Sequence, residues 1–552
     1  MVQCSGKNRP EQQRSDDRRR PHDNSRPKRE VGLEMNLEMT EAVPEPKIST
    51  KMQHITDSAD SVPTQHEVQR GASERALQAA VEIVVHWDAE RAKGPLDRVA
   101  NTEFRTRKYL NSSERRWTAE TIYGSVRFWR RQTALLEKLA LPVTPENIVR
   151  LWAQSPAAPD GSSVAASAVW RTPIVEPDAL ASAIAALPTQ ENPHQYLRTT
   201  LSFPDEMADA LEGLLGAEAI DAASAFNAQA PTTLRINPLR VSQHHVRKSL
   251  PDTTPTRYSP WGLELPRRAN VNDMTGFKTG WYEVQEEASQ LASLLVDPLP
   301  GQTVVEIGAG AGGKTLALAA LMENKGRLFA VDTNAPRLEE LKKRAERDGV
   351  TCVETCTIVA DETGMWQPTE SMRRTINKLR NNADCVLVDA PCTGSGVLRR
   401  SPDARWREFY LPDMVRLQAN LLLQAATFTA PGGILIYVTC AFETNQNEDI
   451  IEAFLKSDMG LQFTLEPAAD RLSAAWKRGL EMARVPAFQR TEKAQQKLKA
   501  RAEAEGTVEP AAMPMPDEPD FVPLCSGPYL RTWPHRQNLD AFFAACLRRN
   551  TP

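Results

Sequence analysis

From residue 301 onward, five short β-type runs (TVVEI, RLFAVD, CTIVAD, CVLVDA and GILIYVT) alternate with stretches of helical periodicity. Runs of this length, rich in Val, Ile and Leu and interleaved with helices, specify a doubly wound α/β fold whose parallel sheet is covered on both faces. Ligands of such a sheet bind at the carboxyl ends of its strands, so the residues directly after each run are where chemistry is expected. A last apolar block, YLRTWPH and AFFAACL, is expected to return to the sheet.

At 552 residues the chain exceeds what one core supports, so several domains are expected. Residues 1–70 are polar, charged and nearly free of aromatics, which predicts a disordered tail whose Arg18-Arg19-Arg20 and Arg26-Pro27-Lys28-Arg29 clusters are interleaved with acids. Residues 71–200 carry apolar residues at helical spacing (ALQAAVEIVVHWDAE, RWTAETIYGSVRFWRRQTALLEKLA) and then a Pro/Ala/Ser-rich connection, which predicts an all-α domain with a loop-rich end. Residues 201–285, with TTLRINPL and GLELP, read as a small α/β module, and residues 286–552 as the doubly wound domain with a charged, Pro-rich insertion near 465–520.

A net charge of -4 excludes a protein coated in positive charge, so a nucleic-acid partner would need a local basic surface. No apolar run is long enough to span a membrane and no secretory signal is visible, so a cytoplasmic protein without membrane contact is expected. The eight cysteines lack metal spacing, which predicts free thiols and no metal site; Cys352 and Cys356 read as buried structural thiols.

The first run ends in Glu306-Ile307 and leads into Gly308-Ala309-Gly310-Ala311-Gly312-Gly313-Lys314-Thr315, which opens directly into LALAALME. Small residues at a helix N-terminus let the backbone approach a nucleotide-like ligand. The same stretch satisfies the phosphate-loop pattern, so an ATPase is the competing reading. The second run, however, ends in Asp332, where a carboxylate can hold ribose hydroxyls, and Asp361 and Asp389 follow the third and fourth runs. Three carboxylates around one edge repel a polyphosphate and tolerate a cationic sulfonium cofactor. Asp389-Ala390-Pro391-Cys392-Thr393-Gly394-Ser395-Gly396 and Thr439-Cys440-Ala441 place two cysteines just past adjacent strand ends, facing one crevice.

On these residues the chain resembles the RsmB/Sun-type RNA cytosine-C5 methyltransferase family. The D-A-P-C-x-G-x-G and T-C elements match, as do G-G-K-T in the loop, LRINPL and WYEVQEEASQLAS upstream, and PHRQNLDAFFAACL at the end. The resemblance covers roughly residues 75 to 552. It implies a Rossmann-like methyltransferase domain that uses S-adenosylmethionine, bound by Gly308 to Lys314, Asp332, Asp361 and Asp389. RRWTAETIYGSVRFWRRQTALLEKL resembles the NusB-like domain of the bacterial small-subunit rRNA members, which implies rRNA as the substrate; tRNA, protein, or a non-catalytic role in ribosome assembly are the alternatives. Glu306 stands where the family usually has aspartate, Gly308-Ala309-Gly310-Ala311 where it has Cys-Ala-Ala-Pro, and Ala441 where it has serine.

Carbon 5 of cytosine is too weak a nucleophile unaided, so a thiolate must first add at carbon 6, the role assigned to Cys440. A protonated Asp389 could hydrogen-bond the ring's N3 edge, and Lys314 is a candidate positive neighbour for the thiol. The resemblance gives Cys392 to release of the product and Pro391 to shaping the backbone beside the base. The target base must leave its stack, which favours loops over intact duplex. Arg399, Arg400, Arg405 and Arg407, with Trp406 among them, form a basic-aromatic segment open either to RNA phosphates or to solvent. His535 in WPH resembles a family position near the C-terminus and reads as a packing residue, His244-His245 lies in a polar turn with no partner pattern, and the chain is expected to act as a monomer.

Overall fold

The computed structural model describes residues 73–91, 94–154, 173–361, 365–407, 411–487 and 516–552, all within one compact unit, Val62–Pro552. The expected tail of residues 1–70, part of the loop-rich connection (155–172) and residues 488–515 of the expected insertion lie outside them.

Helices Glu74–Glu90, Leu96–Thr106, Ser112–Arg127, Trp129–Lys138 and Pro145–Gln154 come first. They bury the apolar stripe that the sequence shows, with Ala76, Ala80, Ile83, Val84 and Trp87 of the first helix packed against Trp117, Ile122 and Val126 of the third. Asn111 and Glu114 form a capping box, and the Glu114 carboxylate also accepts from Arg75 (2.6 and 2.8 Å) and Ser73 (2.7 Å), so one helix start is tied to another. The Arg75 guanidinium holds Glu114 down at about 2.

TTLRI and GLEL become strands of a four-stranded antiparallel sheet. Its members are β1 (Thr232–Ile236), β2 (Thr254–Pro255), β3 (Gly262–Leu265) and β4 (Tyr282–Val284), in the order β2-β3-β1-β4.

The five runs after residue 301 form β5 (Thr303–Ile307), β6 (Arg327–Asp332), β7 (Val353–Ala360), β9 (Ala383–Asp389) and β10 (Thr429–Thr439). They pair in parallel in the order β7-β6-β5-β9-β10, so the strand order reverses between β5 and β9, where a doubly wound sheet opens its ligand crevice. The full sheet is mixed rather than wholly parallel. Trp366–Pro368 (β8) pairs antiparallel to β7, and Phe543–Arg549 (β14) pairs antiparallel to β10. β14 in turn carries β11 (Phe463–Glu466) and β13 (Tyr529–Arg531), and β13 carries β12 (Cys525–Ser526). The reason lies in the last connection: β14 follows Tyr529–Arg531 after only a short stretch and pairs with it antiparallel, and parallel pairing needs a crossover of a dozen or more residues. Helices Glu287–Val296, Gly313–Leu321 and Ala468–Arg484 cover one face of the sheet; Glu370–Leu379, Leu411–Ala426 and Glu448–Leu455 cover the other.

The expectation that Arg399, Arg400, Arg405, Arg407 and Trp406 face RNA or solvent is corrected. Arg399 and Arg405 are buried. Pro402–Trp406 is a 3-10 turn wedged against the N-terminal helices, so its side chains serve as ties. Arg405 donates to the carbonyl of Arg127 (2.9 Å) and to Asn227 (2.7 Å) while lying over the Phe203 ring. The Trp406 indole donates to the Val126 carbonyl (2.7 Å). Arg399 and Arg400 both hold Asp540, at 3.0 and 2.7 Å, and Arg407 pairs with Asp403. Reciprocally, buried Arg127 donates to the carbonyls of Phe226 (3.1 Å), Leu398 (3.2 Å) and Arg399 (2.9 Å).

Arg127→Ala would leave those three carbonyls without their donor, and unpaired buried acceptors are costly. The expected loss is about 2–4 kcal/mol of unfolding free energy, read by urea denaturation; a loss within 0.5 kcal/mol would count against this clamp.

Candidate active site

Parallel pairing brings three strand ends together at the reversal point. Ile307 of β5 is paired with Val388 of β9, and Asp389 with Val438 of β10. Directly beyond β5, Gly308 takes a φ of +83°, and a Cβ there would lie 2.2 Å from the Asp389 carbonyl oxygen. Only glycine allows this approach, and it seats the loop against the end of β9.

Four of the loop's N–H donors are spent within the protein. Gly308 and Ala309 donate to the Val331 carbonyl (2.9 and 3.2 Å), Gly310 to the Asp332 carboxylate (2.8 Å), and Gly312 to the Ala309 carbonyl (2.9 Å). A phosphate cradle needs those N–H groups free. Lys314 is folded inward as well: its Nζ donates to Asp389 Oδ2 at 2.7 Å and lies 5.6 Å from the centre of the Phe542 ring. Burial disfavours the Lys314 ammonium, but the Asp389 carboxylate outweighs it and holds the group above the ordinary lysine range. Ala311 and Gly313 complete the loop. The other oxygen of Asp332 caps the turn by accepting from Asn334 (2.7 Å). Asp361 sits on the same edge two strands out from β5, exposed, with Oδ1 accepting from the Met365 N–H (3.1 Å).

Past β9 and β10 the two half-buried thiols meet, with Cys392 Sγ 3.4 Å from Cys440 Sγ. The hydrogen bond from Cys440, helped by the backbone N–H groups of Gly394 and Cys440, draws Cys392 below the ordinary thiol range. The same bond, with burial, pushes Cys440 well above it, and the Lys314 charge pulls the other way. Within the pair the proton is therefore held more tightly by Cys440 than by Cys392.

A polar network that sequence reasoning missed holds both cysteine turns. Gln446 accepts from the Thr393 N–H (3.1 Å) and donates to Glu443 (3.0 Å), while Gln418 donates to the Pro391 carbonyl (2.8 Å). Glu443 also accepts from Ser395 (2.7 Å), whose oxygen receives the Phe442 N–H (3.0 Å). Asn447 accepts from Thr439 (2.5 Å) and donates to the Ala441 carbonyl (2.9 Å), closing the Cys440 turn. The signal for this network was the polar run ETNQNE directly after Cys440-Ala441. Gly396 stitches the turns to the C-terminal strand, donating to the Cys440 carbonyl (2.9 Å) and accepting from the Ala541 N–H (3.0 Å). His535 pairs with Glu218 (3.1 Å).

Glu306, at the base of the loop, is 1% exposed, and neither carboxylate oxygen has a hydrogen-bond partner. Burial pushes it up to about 8, a rise that the neighbouring Thr315 hydroxyl eases without abolishing. An orphaned carboxyl under a glycine loop, with Asp332 beside it, fits a ligand that brings positive charge and hydroxyl donors. Among the described residues no cluster of three or more His, Cys, Asp or Glu could hold a metal ion, and no helix is long and apolar enough to cross a membrane.

Comparison with known proteins agrees with this arrangement. Residues 293–548 match the family described as 16S rRNA methyltransferase RsmB/F. The probable ribosomal RNA small subunit methyltransferase B of Synechocystis sp. is 33% identical over 263 residues, 46% of this chain and 56% of that protein. The ribosomal RNA small subunit methyltransferase B of Pseudomonas syringae pv. tomato is 33% identical over 250 residues, 44% of this chain and 52% of its own length. The chain thus spans about half the length of these curated relatives. The crystal structure of PH0851 shares the fold, with a TM-score of 0.62 at 23% identity over 87% of this chain and 99% of that one.

The orphaned Glu306 makes stability depend on pH in a definite direction. Its folded pKa lies above its unfolded value, so the folded chain holds a proton that the unfolded chain has lost. Stability is therefore greatest at low pH within this window and falls as pH rises through about 8. Glu306→Gln removes this dependence: the variant should gain on the wild type by a few kcal/mol, to order of magnitude, between pH 6 and 9 in paired denaturation curves. Parallel curves for the two proteins would show that Glu306 is solvated.

Proposed function

Since residues 293–548 are a methyltransferase domain of the RsmB/F family, we propose that the protein methylates carbon 5 of a cytosine in small-subunit ribosomal RNA, with Cys440 as the covalent nucleophile. The observation that carries this reading is the pair of thiols 3.4 Å apart, one past each of two adjacent parallel strands, beside a glycine loop whose lysine is bound to Asp389. The cofactor is S-adenosylmethionine, which supplies a methyl group on a cationic sulfonium. Gly308 to Gly313, Glu306 and Asp332 are the residues that would hold it, and Asp361 lies on the same edge.

Cys440 must lose its proton to add to carbon 6, and the nearest acceptor is Cys392 Sγ. That addition forms a sulfur–carbon bond and moves an electron pair towards carbon 5 and N3, making carbon 5 nucleophilic. Lys314 and Asp389 lie beside the thiols as an ion pair, and Asp389 can meet the N3 edge only by receiving a proton or by presenting the Lys314 ammonium to the base. After methylation the carbon 5 proton passes to a base, Cys392 once it has given the proton received from Cys440 to solvent, and the electron pair of that C–H bond re-forms the C5–C6 double bond, so the sulfur–carbon bond breaks and Cys440 departs as a thiolate. A NusB-like helical domain at residues 71–200 and an RNA-binding module at 201–285 would hold the flanking RNA, a reading supported by the arginine ties that join the N-terminal helices to the cysteine loop.

Asp332→Ala should weaken S-adenosylmethionine binding by about 1–3 kcal/mol in calorimetry, because it frees Gly310 and removes a candidate ribose acceptor. Tight magnesium-dependent ATP binding without sulfonium binding would overturn the cofactor assignment.

The two thiols are separable with labelled small-subunit rRNA. Cys440→Ala should give neither methylated product nor covalent adduct. Cys392→Ala should form the adduct more slowly, having lost the proton acceptor, yet accumulate a protein–RNA species that survives denaturing electrophoresis. Adduct trapped by Cys440→Ala and lost with Cys392→Ala would exchange the roles. Methylation of unmodified tRNA but not of small-subunit rRNA would change the substrate.

A further inference from the structure

The four-stranded sheet is tied to the cofactor loop through two arginines, Arg235 buried and Arg344 half-buried, that the mechanism does not use. Arg235 of β1 is 2% exposed, and its Nη1 donates both to Gln285 (2.6 Å) and to the carbonyl of Gly313 (2.5 Å). Arg344, on helix Ala335–Asp348, donates to the carbonyl of Ala311 (2.6 Å) and to Glu283 of β4 (2.9 Å). Glu283 is itself 2% exposed, lies opposite Arg235 in the β1–β4 register, and also pairs with Arg347. Glu283 and Gln285 fall on the same side of their segment, two residues apart, and each holds one arginine whose other contact is a loop carbonyl.

Burial pushes Arg235 down to about 10, and no carboxylate is among its hydrogen-bond partners. A guanidinium buried without a paired charge is costly, and an apolar side chain would pack this position more cheaply. What the cation adds is a donor aimed at the backbone of the loop. The N–H groups of Gly308, Ala309 and Gly310 are fixed in front by Val331 and Asp332, and the carbonyls of Ala311 and Gly313 are fixed behind by Arg344 and Arg235.

The geometry points to Arg235 and Arg344 as positioning residues for the cofactor loop, so that the four-stranded sheet sets the loop's affinity for its ligand. This rests on S-adenosylmethionine being that ligand. The affinity of the methyltransferase domain then depends on residues 235 and 283, both upstream of the stretch matched by its family.

The test uses the full chain with Arg235→Lys, Arg344→Lys and Arg344→Ala; the partly exposed Arg344 variants serve if Arg235→Lys does not fold. Hydrogen exchange of the Ala309–Thr315 amides is measured without ligand, followed by S-adenosylmethionine affinity in calorimetry and the KM-against-kcat split. Exchange should quicken, and Kd and KM for S-adenosylmethionine should rise about tenfold, the scale of one charged hydrogen bond, with kcat at saturating cofactor nearly unchanged. A lowered melting temperature with loop exchange and Kd within twofold of the wild type would reduce both arginines to packing and overturn the inference. If the wild type itself fails to bind S-adenosylmethionine while the variants still loosen the loop, the clamp stands and the cofactor reading falls.

Discussion

Everything at the candidate site depends on β9 being hydrogen-bonded in parallel to β5 on one side and to β10 on the other. With Ile307 beside Val388 and Asp389 beside Val438, the chain leaves three neighbouring strands at one level. The loop after β5, the cysteine turn after β9 and the cysteine turn after β10 then have to share a single crevice. Slipping any of these pairings by one residue would turn side chains packed against one helical layer towards the other and carry the strand ends out of line, so register is strongly specified. The 2.2 Å that a Cβ on Gly308 would leave to the Asp389 carbonyl measures how close this convergence is.

Convergence of backbones does not by itself fix two thiols, and the remaining constraint comes from outside the parallel strands. Antiparallel β14 brings residues 538–542 over the crevice, where Ala541 bonds Gly396 and Asp540 takes both Arg399 and Arg400. The N-terminal helices act on the same stretch from the far side, through Arg127 on the carbonyls of Leu398 and Arg399. The Cys392 turn and the residues that follow it are thus held by β10, by the C-terminal strand and by the helical part of the chain. Arginine suits this task, because five fixed donors can hold several carbonyls at once.

The sheet was legible because its strands are short apolar runs with an acid or a cysteine at their carboxyl ends, and those ends are where the crevice opens. Asp332 was legible for the same reason, and it distinguished the glycine loop from a phosphate loop that the bare pattern also allowed. The direction of Lys314 was not legible, since it depends on Asp389 lying 75 positions away in sequence and 2.7 Å away in space. The antiparallel edge was missed because an apolar block carries no sign of strand direction. The Arg399–Arg407 segment misled for a physical reason: charge predicts exposure only until the backbone carbonyls of another part of the chain need donors. Gln418, Glu443, Gln446 and Asn447 passed unnoticed because a polar run such as ETNQNE reads as an exposed turn until the side chains and backbone groups that it holds are placed.

Charge completes the account of what the crevice can accept. Glu306 is pushed up to about 8 and Cys440 well above the ordinary thiol range, while Lys314 and Asp389 cancel one another, so the negative charge left near the loop rests on Asp332. A polyphosphate entering there would meet that charge with the N–H groups of Gly308, Ala309, Gly310 and Gly312 already engaged and with Lys314 bound to Asp389. A cationic ligand meets the opposite situation, for it is attracted to the crevice and can satisfy the orphaned oxygens of Glu306, lowering that group's pKa as it binds. The same glycine, lysine and threonine pattern therefore favours a different class of ligand, because Asp389 has claimed its lysine and Asp332 the N–H of Gly310.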